Sequence, residues 1–317
     1  MTMASGRAGL GAALILSLGL GLTGIGAGCN LQKITADSTS NMLLYGSVAM
    51  DREADVEFAA GAFPASLKTL ETFLVNSPEN ENLLLLLARG YNSYAFGILE
   101  TELDEARIDG PEERIDDLTR RAKIHYLRGM EYGFRLLNVP AIEQAAKDNE
   151  LETLEAELDN LKKEQAPGLF WAAYGWSSTI NLAKDDPELI AGLPVIELMM
   201  QRVLELDEDY NGGAPLLFHG VYHASKPEMF GGKPVLSKEY FERAMASHGD
   251  SNLLVPFLYA RFYCVQVQDK AMFDELIAKV DQADLTAYPE MRLTNEIARK
   301  RARFWAAHSD EVILEED

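Results

Sequence analysis

ENLLLLLARGYNSY, residues 81–94, carries the spacing that decides the fold. Leu84 is followed three and four residues on by Leu87 and Ala88, and three later by Tyr91. On a helix these four positions share one face. A small residue there lets a second helix approach closely, and an aromatic ring fills the space beside it. The pattern returns at Leu169, Ala172, Ala173 and Trp176 with alanine in the leucine position, and in part at His219-Gly220 and at Tyr259-Ala260 with Tyr263. A complementary order of small, aromatic and small residues occupies Ala122, Tyr126 and Gly129, and again Ser237, Phe241 and Ala244.

These are the two halves of a tetratricopeptide repeat. The first-helix motifs begin near residues 81, 166, 213 and 253, farther apart than the usual period of about 34 residues. Insertions account for the excess, among them a helix within 141–164 whose Leu151, Leu154, Leu158 and Leu161 form an apolar stripe. An ordinary helical bundle could show one such spacing by chance, whereas several halves in the right order favour repeats. Almost nothing alternates with the period of a strand. Turn signals such as Asn76-Ser77-Pro78, Asp109-Gly110-Pro111, Asp185-Asp186-Pro187 and Gly231-Gly232-Lys233-Pro234 separate the helices. The expected fold is all-α: tetratricopeptide-like helical hairpins in a compact α-solenoid with insertions.

The N-terminus reads as an address. Residues 8–28, AGLGAALILSLGLGLTGIGAG, follow a start whose one charge is Arg7 and lead into Cys29. A basic start, an apolar stretch and small residues before a cysteine form a bacterial lipoprotein signal. Its many glycines make a poor membrane-spanning helix. The expected organisation is a signal peptide over 1–28, a tether with a first helix over 29–52, and a helical-repeat domain over 53–317, with Cys29 lipidated. Gly19, Gly21 and Gly24 match a dinucleotide fingerprint only by chance, since no strand precedes them.

Across all 317 residues the net charge is −21, and removing Arg7 with the signal takes it to −22. Such acidity disfavours nucleic acid and anionic headgroups, which need Lys and Arg. With Cys29 committed to lipid, Cys264 has no partner for an intramolecular disulfide and reads as a small buried hydrophobe.

Four blocks carry a resemblance: VLELDEDYNGGAPLLFHGVY (203–222), MFGGKPVLSKEYFERAM (229–245), NLLVPFLYARFYCV (252–265) and RKRARFWAA (299–307). With FPASLKTLETFLVNSPENENLLLLLARGYNSYAF and RAKIHYLRGMEYGFRLL upstream, they resemble the TatT family of lipoproteins associated with TRAP transporters, over roughly residues 40–306. The resemblance implies a periplasmic, lipid-anchored, all-helical protein built from tetratricopeptide-like repeats, and Asn30 after Cys29 leaves either the inner or the outer membrane as its anchor. It implies a partner, the soluble substrate-binding protein of a TRAP transporter. It also implies self-association, with a trimer expected, and apolar cavities for an organic ligand.

No catalytic arrangement stands out, so no enzyme activity, cofactor or metal is expected. His219 and His223 could share a helix face, but the glutamate of H-E-x-x-H is missing. Projecting the repeat register puts Arg89 and Asn92 of the first repeat, Tyr174 of the second and Arg261 of the last on the side that would line a concave surface. Arg89 and Arg261 are cations within apolar helices, able either to grip a carboxylate or to form internal ion pairs. Trp171 and Trp176 are five residues apart, so one is expected in the core while the other could line a cavity. Lys233 stands beside two glycines in a loop that could approach a partner, although a tight turn explains them equally well. The leading expectation is a non-catalytic transport accessory that docks the binding protein and holds or passes a hydrophobic or organic-acid ligand. The alternatives are a general scaffold lipoprotein in envelope assembly or secretion, and a metal enzyme built on the two histidines.

Overall fold

The computed structural model describes residues 25–183, 186–226 and 228–314. The signal segment before residue 25 and Asp185 of one turn signal lie outside the described residues. Among the described residues the fold is all-α, with no strand. No helix among them is long and apolar enough to cross a membrane.

Helix α1 (Ile25–Gly46) leads through the short α2 (Val48–Asp51) to α3 (Val56–Asn76). Asp55 caps α3 by accepting from the amides of Glu57 and Phe58, and Asn80 caps α4 (Glu81–Tyr94) by accepting from Leu83. Asp37 on α1 accepts from Ser77 Oγ at 2.5 Å and Asn80 Nδ2 at 2.8 Å, pinning α1 over the turn between α3 and α4. Helix α4 runs on through a π-helical turn (Ala95–Leu99) into α5 (Glu100–Asp109). Gly110-Pro111 stops it, and the chain reverses into α6 (Glu112–Leu137).

Helix α6 packs against both α4 and the later α9 (Ala166–Asn181). The small and aromatic positions of the spacing pattern meet in these contacts. Leu84, Leu87, Ala88, Tyr91, Ala122, Tyr126, Leu169, Ala172 and Ala173 are all buried. The α6–α9 approach is close enough to require glycine. A Cβ on Gly175 would lie 2.5 Å from the Tyr126 carbonyl oxygen, and one on Gly133 would strike the Ala172 backbone nitrogen.

Between α6 and α9 the inserted segment forms two short helices, α7 (Pro140–Lys147) and α8 (Leu151–Leu158), separated by Asn149 at φ 57°. The leucine stripe is therefore shorter than its spacing predicts. Leu154 and Leu158 are buried on α8, while Leu151 at its start is exposed. Leu161 is buried from the turn beyond, where Arg202 donates to its carbonyl at 2.9 Å.

The short α10 (Pro187–Ile190) leads to α11 (Leu193–Leu206), which packs on α9. Next comes α12 (Tyr210–Ala224), whose first turn is left-handed at Asn211, Gly212 and Gly213. It packs on α13 (Pro234–His248), where Gly220 leaves room for the Phe241 ring. Helix α14 (Leu254–Leu258) passes through a second π-helical turn (Tyr259–Cys264) into α15 (Val265–Val267). The hairpin of α16 (Lys270–Gln282) and α17 (Arg292–Ala307) closes the chain, and α17 returns to touch α2 and α3.

Candidate ligand-binding site

Three of the residues expected to bind have structural partners. Arg89 is half-buried, and its Nη2 donates to Ser47 Oγ at 3.1 Å and reaches Asp51 Oδ2 at 3.4 Å, tying α4 to the end of α2. Burial pushes the Asp51 carboxyl up, and the Arg89 charge opposes this. Asn92 is buried, donating to the carbonyls of Ala88 at 3.0 Å and Trp171 at 3.2 Å, so it bridges α4 to α9. Trp171 is buried, with Nε1 donating to Tyr210 Oη at 2.9 Å.

Trp176 is half-buried, edge-on to Phe134 with ring centroids 6.5 Å apart. Lys233 is exposed where the chain enters α13, and its amide donates to the His223 carbonyl at 3.0 Å. Gly231 has φ 88° and nothing near its missing Cβ, so the turn itself accounts for that glycine.

Tyr174 and Arg261 border one buried centre. The Tyr174 ring lies edge-on to Tyr126 at 6.1 Å, and the Tyr126 hydroxyl donates to Glu100 Oε1 at 2.5 Å. One turn along α5 from Glu100, Asp104 accepts from Arg301 Nη2 at 2.7 Å and from Trp305 Nε1 at 3.3 Å. Arg301 also stands 4.0 Å from Glu100. Its guanidinium lies over the rings of Phe96 at 4.7 Å and Phe257 at 5.4 Å. Arg261 sits 4.0 Å above the Trp305 ring. Both π-helical turns contribute, through Phe96 and Arg261. Such turns arise where a helix accepts one extra residue, frequently at functional positions.

The electrostatics of this centre are uneven. Burial pushes Glu100 up, towards its neutral form, although Arg301 and the Tyr126 hydroxyl oppose this. Arg301, only 7% exposed, keeps its charge because Asp104 and Glu100 face it, yet its Nε and Nη1 have no hydrogen-bond partner. Arg261 makes no ion pair among the described residues, and burial lowers its pKa to about 10. A half-buried guanidinium without an anion has lost part of its hydration with no opposite charge to offset the loss.

Residues 52–313 match the family model described as TRAP transporter T-component. The chain belongs to the TRAP transporter T-component family. It is also similar to an uncharacterized protein of Treponema pallidum (strain Nichols), 24% identical over 308 residues covering 91% of this chain and 94% of that one. The T-component family is a transporter component, which fits a bacterial envelope location.

In this T-component the sequence alone does not mark Arg301, Glu100, Asp104 and Trp305 as a cluster. Spacings of four place Glu100 with Asp104 and Arg301 with Trp305 on common helix faces, but charged residues so spaced ordinarily mark a solvated face. The two histidines also face inward. His219 and His223 are buried and stacked on Tyr240, with ring centroids 4.9 Å and 5.9 Å away. Burial lowers the His219 pKa to about 4. Among the described residues no third donor joins them in a metal-ligand set. Cys264 is a free, fully buried thiol whose pKa burial raises to about 12.

Proposed function

We propose that this T-component is a non-catalytic accessory lipoprotein. It docks the soluble substrate-binding protein of its TRAP transporter and holds or passes an organic ligand at the centre bordered by Tyr174 and Arg261. The observation that carries this reading is the family match over residues 52–313. The pairing of α4 with α6, of α9 with α11 and of α12 with α13 supports reading these helices as tetratricopeptide-like hairpins, a scaffold suited to a protein partner. Processing before Cys29 and lipidation of that residue would hold the protein on the periplasmic face of an envelope membrane. A tether of this kind raises the effective concentration of the domain near its transporter. Self-association, with a trimer expected, belongs to the same reading.

Co-expression with the TRAP substrate-binding protein tests it. The wild-type lipoprotein should fractionate with membranes and retain the binding protein through purification. Cys29→Ala should release a folded, soluble protein that still retains it. Failure of both forms to retain the binding protein rejects docking, whereas a membrane-bound Cys29→Ala protein rejects only the anchor.

A further inference from the structure

The outer face of α1 is left uncovered by the fold. Leu31, Ile34, Ser38, Met42 and Tyr45 recur at intervals of three and four residues, which puts them on one stripe of the helix. All five are exposed, Met42 at 74% and Tyr45 at 81%. Among the described residues no other helix exposes four large apolar side chains. The opposite face is committed to the domain. Ala36 and Ser40 are buried, and Leu43 packs against the core. The two charged residues of α1, Lys33 and Asp37, pair at 2.7 Å and both reach Ser77 in the turn after α3. Asn82 Nδ2 donates to Asn41 Oδ1 at 2.9 Å, a further tie between α1 and the start of α4. The stripe is thus free of charge in a chain of net charge −21, and α1 is fixed to the rest of the domain.

What covers the stripe follows from where the helix begins. Cys29 lies near the start of α1, two residues before Leu31, and the apolar segment 8–28 ends beside it. Lipid on Cys29 would hold this end of α1 at a membrane surface. The helix then runs unbroken to Gly46, so the stripe continues from the point of attachment for about 24 Å. We propose that α1 lies along the membrane with this stripe among the lipid headgroups, and so sets the orientation of the domain on its anchor. An amphipathic helix places its apolar face in the interface plane, and tyrosine suits the headgroup level. The acidic remainder of the surface is repelled by anionic lipid, so apolar burial, not charge, makes the contact. This inference rests on the anchoring part of the proposed function and is independent of docking and of any ligand.

Fluorescence of the lipidated full chain in phosphatidylcholine vesicles tests it. Met42→Cys, Tyr45→Cys and, as a reference on α13, the exposed Val235→Cys each carry a nitrobenzoxadiazole label. Cys264 is fully buried and does not compete for the label. All three replaced side chains lie outside the core, so the fold is retained. Labels at 42 and 45 should shift to shorter wavelength and be quenched by nitroxide-bearing lipid, while the label at 235 stays in water. Because the stripe is uncharged, added phosphatidylglycerol or salt should leave the shift unchanged. Vesicle-bound protein with labels at 42 and 45 still in water overturns the proposal and leaves the anchor standing. Labels already shielded in the vesicle-free Cys29→Ala protein would assign the stripe to a second copy and overturn it too. An equal shift at 235 would make the contact non-specific, with the same consequence. If the wild-type chain does not float with vesicles, the anchor itself fails and the orientation falls with it.

Discussion

Between α6 and α9 the backbones meet over glycine, and the side chains around Gly133 and Gly175 carry no charge; Asn92 beside Gly175 is hydrogen-bonded through its amide nitrogen, with its Oδ1 left without a partner. Where α17 returns to α5, Arg301 and the Trp305 indole are buried against the partly buried carboxylates of Glu100 and Asp104, with the half-buried Arg261 over the indole, and part of that hydrogen-bonding capacity goes unused. The first contact is explained by packing alone. The second spends desolvation energy that a well-packed apolar contact of similar volume would avoid. Buried charge with open donors is where function is to be sought in this molecule, rather than in the small-and-aromatic spacing of its helices.

The largest effect should come from breaking the charged contact on one side. Arg301→Met leaves Asp104 and Glu100 facing each other in a buried site and should cost about 3–5 kcal/mol at pH 7. The deficit should shrink as the pH falls and those carboxyls take up protons, which urea denaturation at several pH values would detect. An equal deficit at all pH values would mean that the side chain acts through packing.

The glycine contact should be nearly as sensitive but indifferent to pH. Gly175→Ala places a Cβ against the Tyr126 carbonyl, a backbone atom that cannot rotate away, and should cost about 1–3 kcal/mol in the same titration. A neutral result would mean that the two helices have room to separate.

His219 tests an intermediate case, a buried titratable ring stacked against His223 and Tyr240. Its folded pKa of about 4 lies below the ordinary 6.5, so the unfolded chain takes up the proton first. The stabilising contribution is complete above pH 6.5 and is lost as the pH falls toward 4, by up to about 3 kcal/mol. His219→Gln should flatten the stability curve across that window. An unchanged slope would assign the acid sensitivity to other groups.

The smallest effect on stability should come from Arg261→Gln, about 1 kcal/mol from the lost contact with Trp305. A loss as large as that of Arg301→Met would mean that Arg261 is a structural ion, against the contrast drawn above.

Helix class and packing faces were legible because they depend on spacing along the chain. Leu87, Ala88, Tyr91, Ala122 and Tyr126 are buried where the small-and-aromatic pattern puts them. The α8 stripe was over-read because spacing does not register a left-handed residue such as Asn149, nor a turn held by a distant side chain such as Arg202. Among the candidate binding residues, Arg89 and Asn92 have the register of a concave face, and the structure gives them internal partners at Asp51 and the Trp171 carbonyl. The centre around Arg301 was hidden for a different reason. Asp104 and Arg301 are 197 residues apart, and each lies in a charged segment that by itself reads as solvated. Only the return of α17 makes them neighbours.

The most direct test of the account is calorimetry between the purified Cys29→Ala protein and the purified TRAP substrate-binding protein. The account predicts a saturable complex with a micromolar or lower Kd, formed without lipid. No heat of binding and no complex at concentrations of about 100 μM would contradict it.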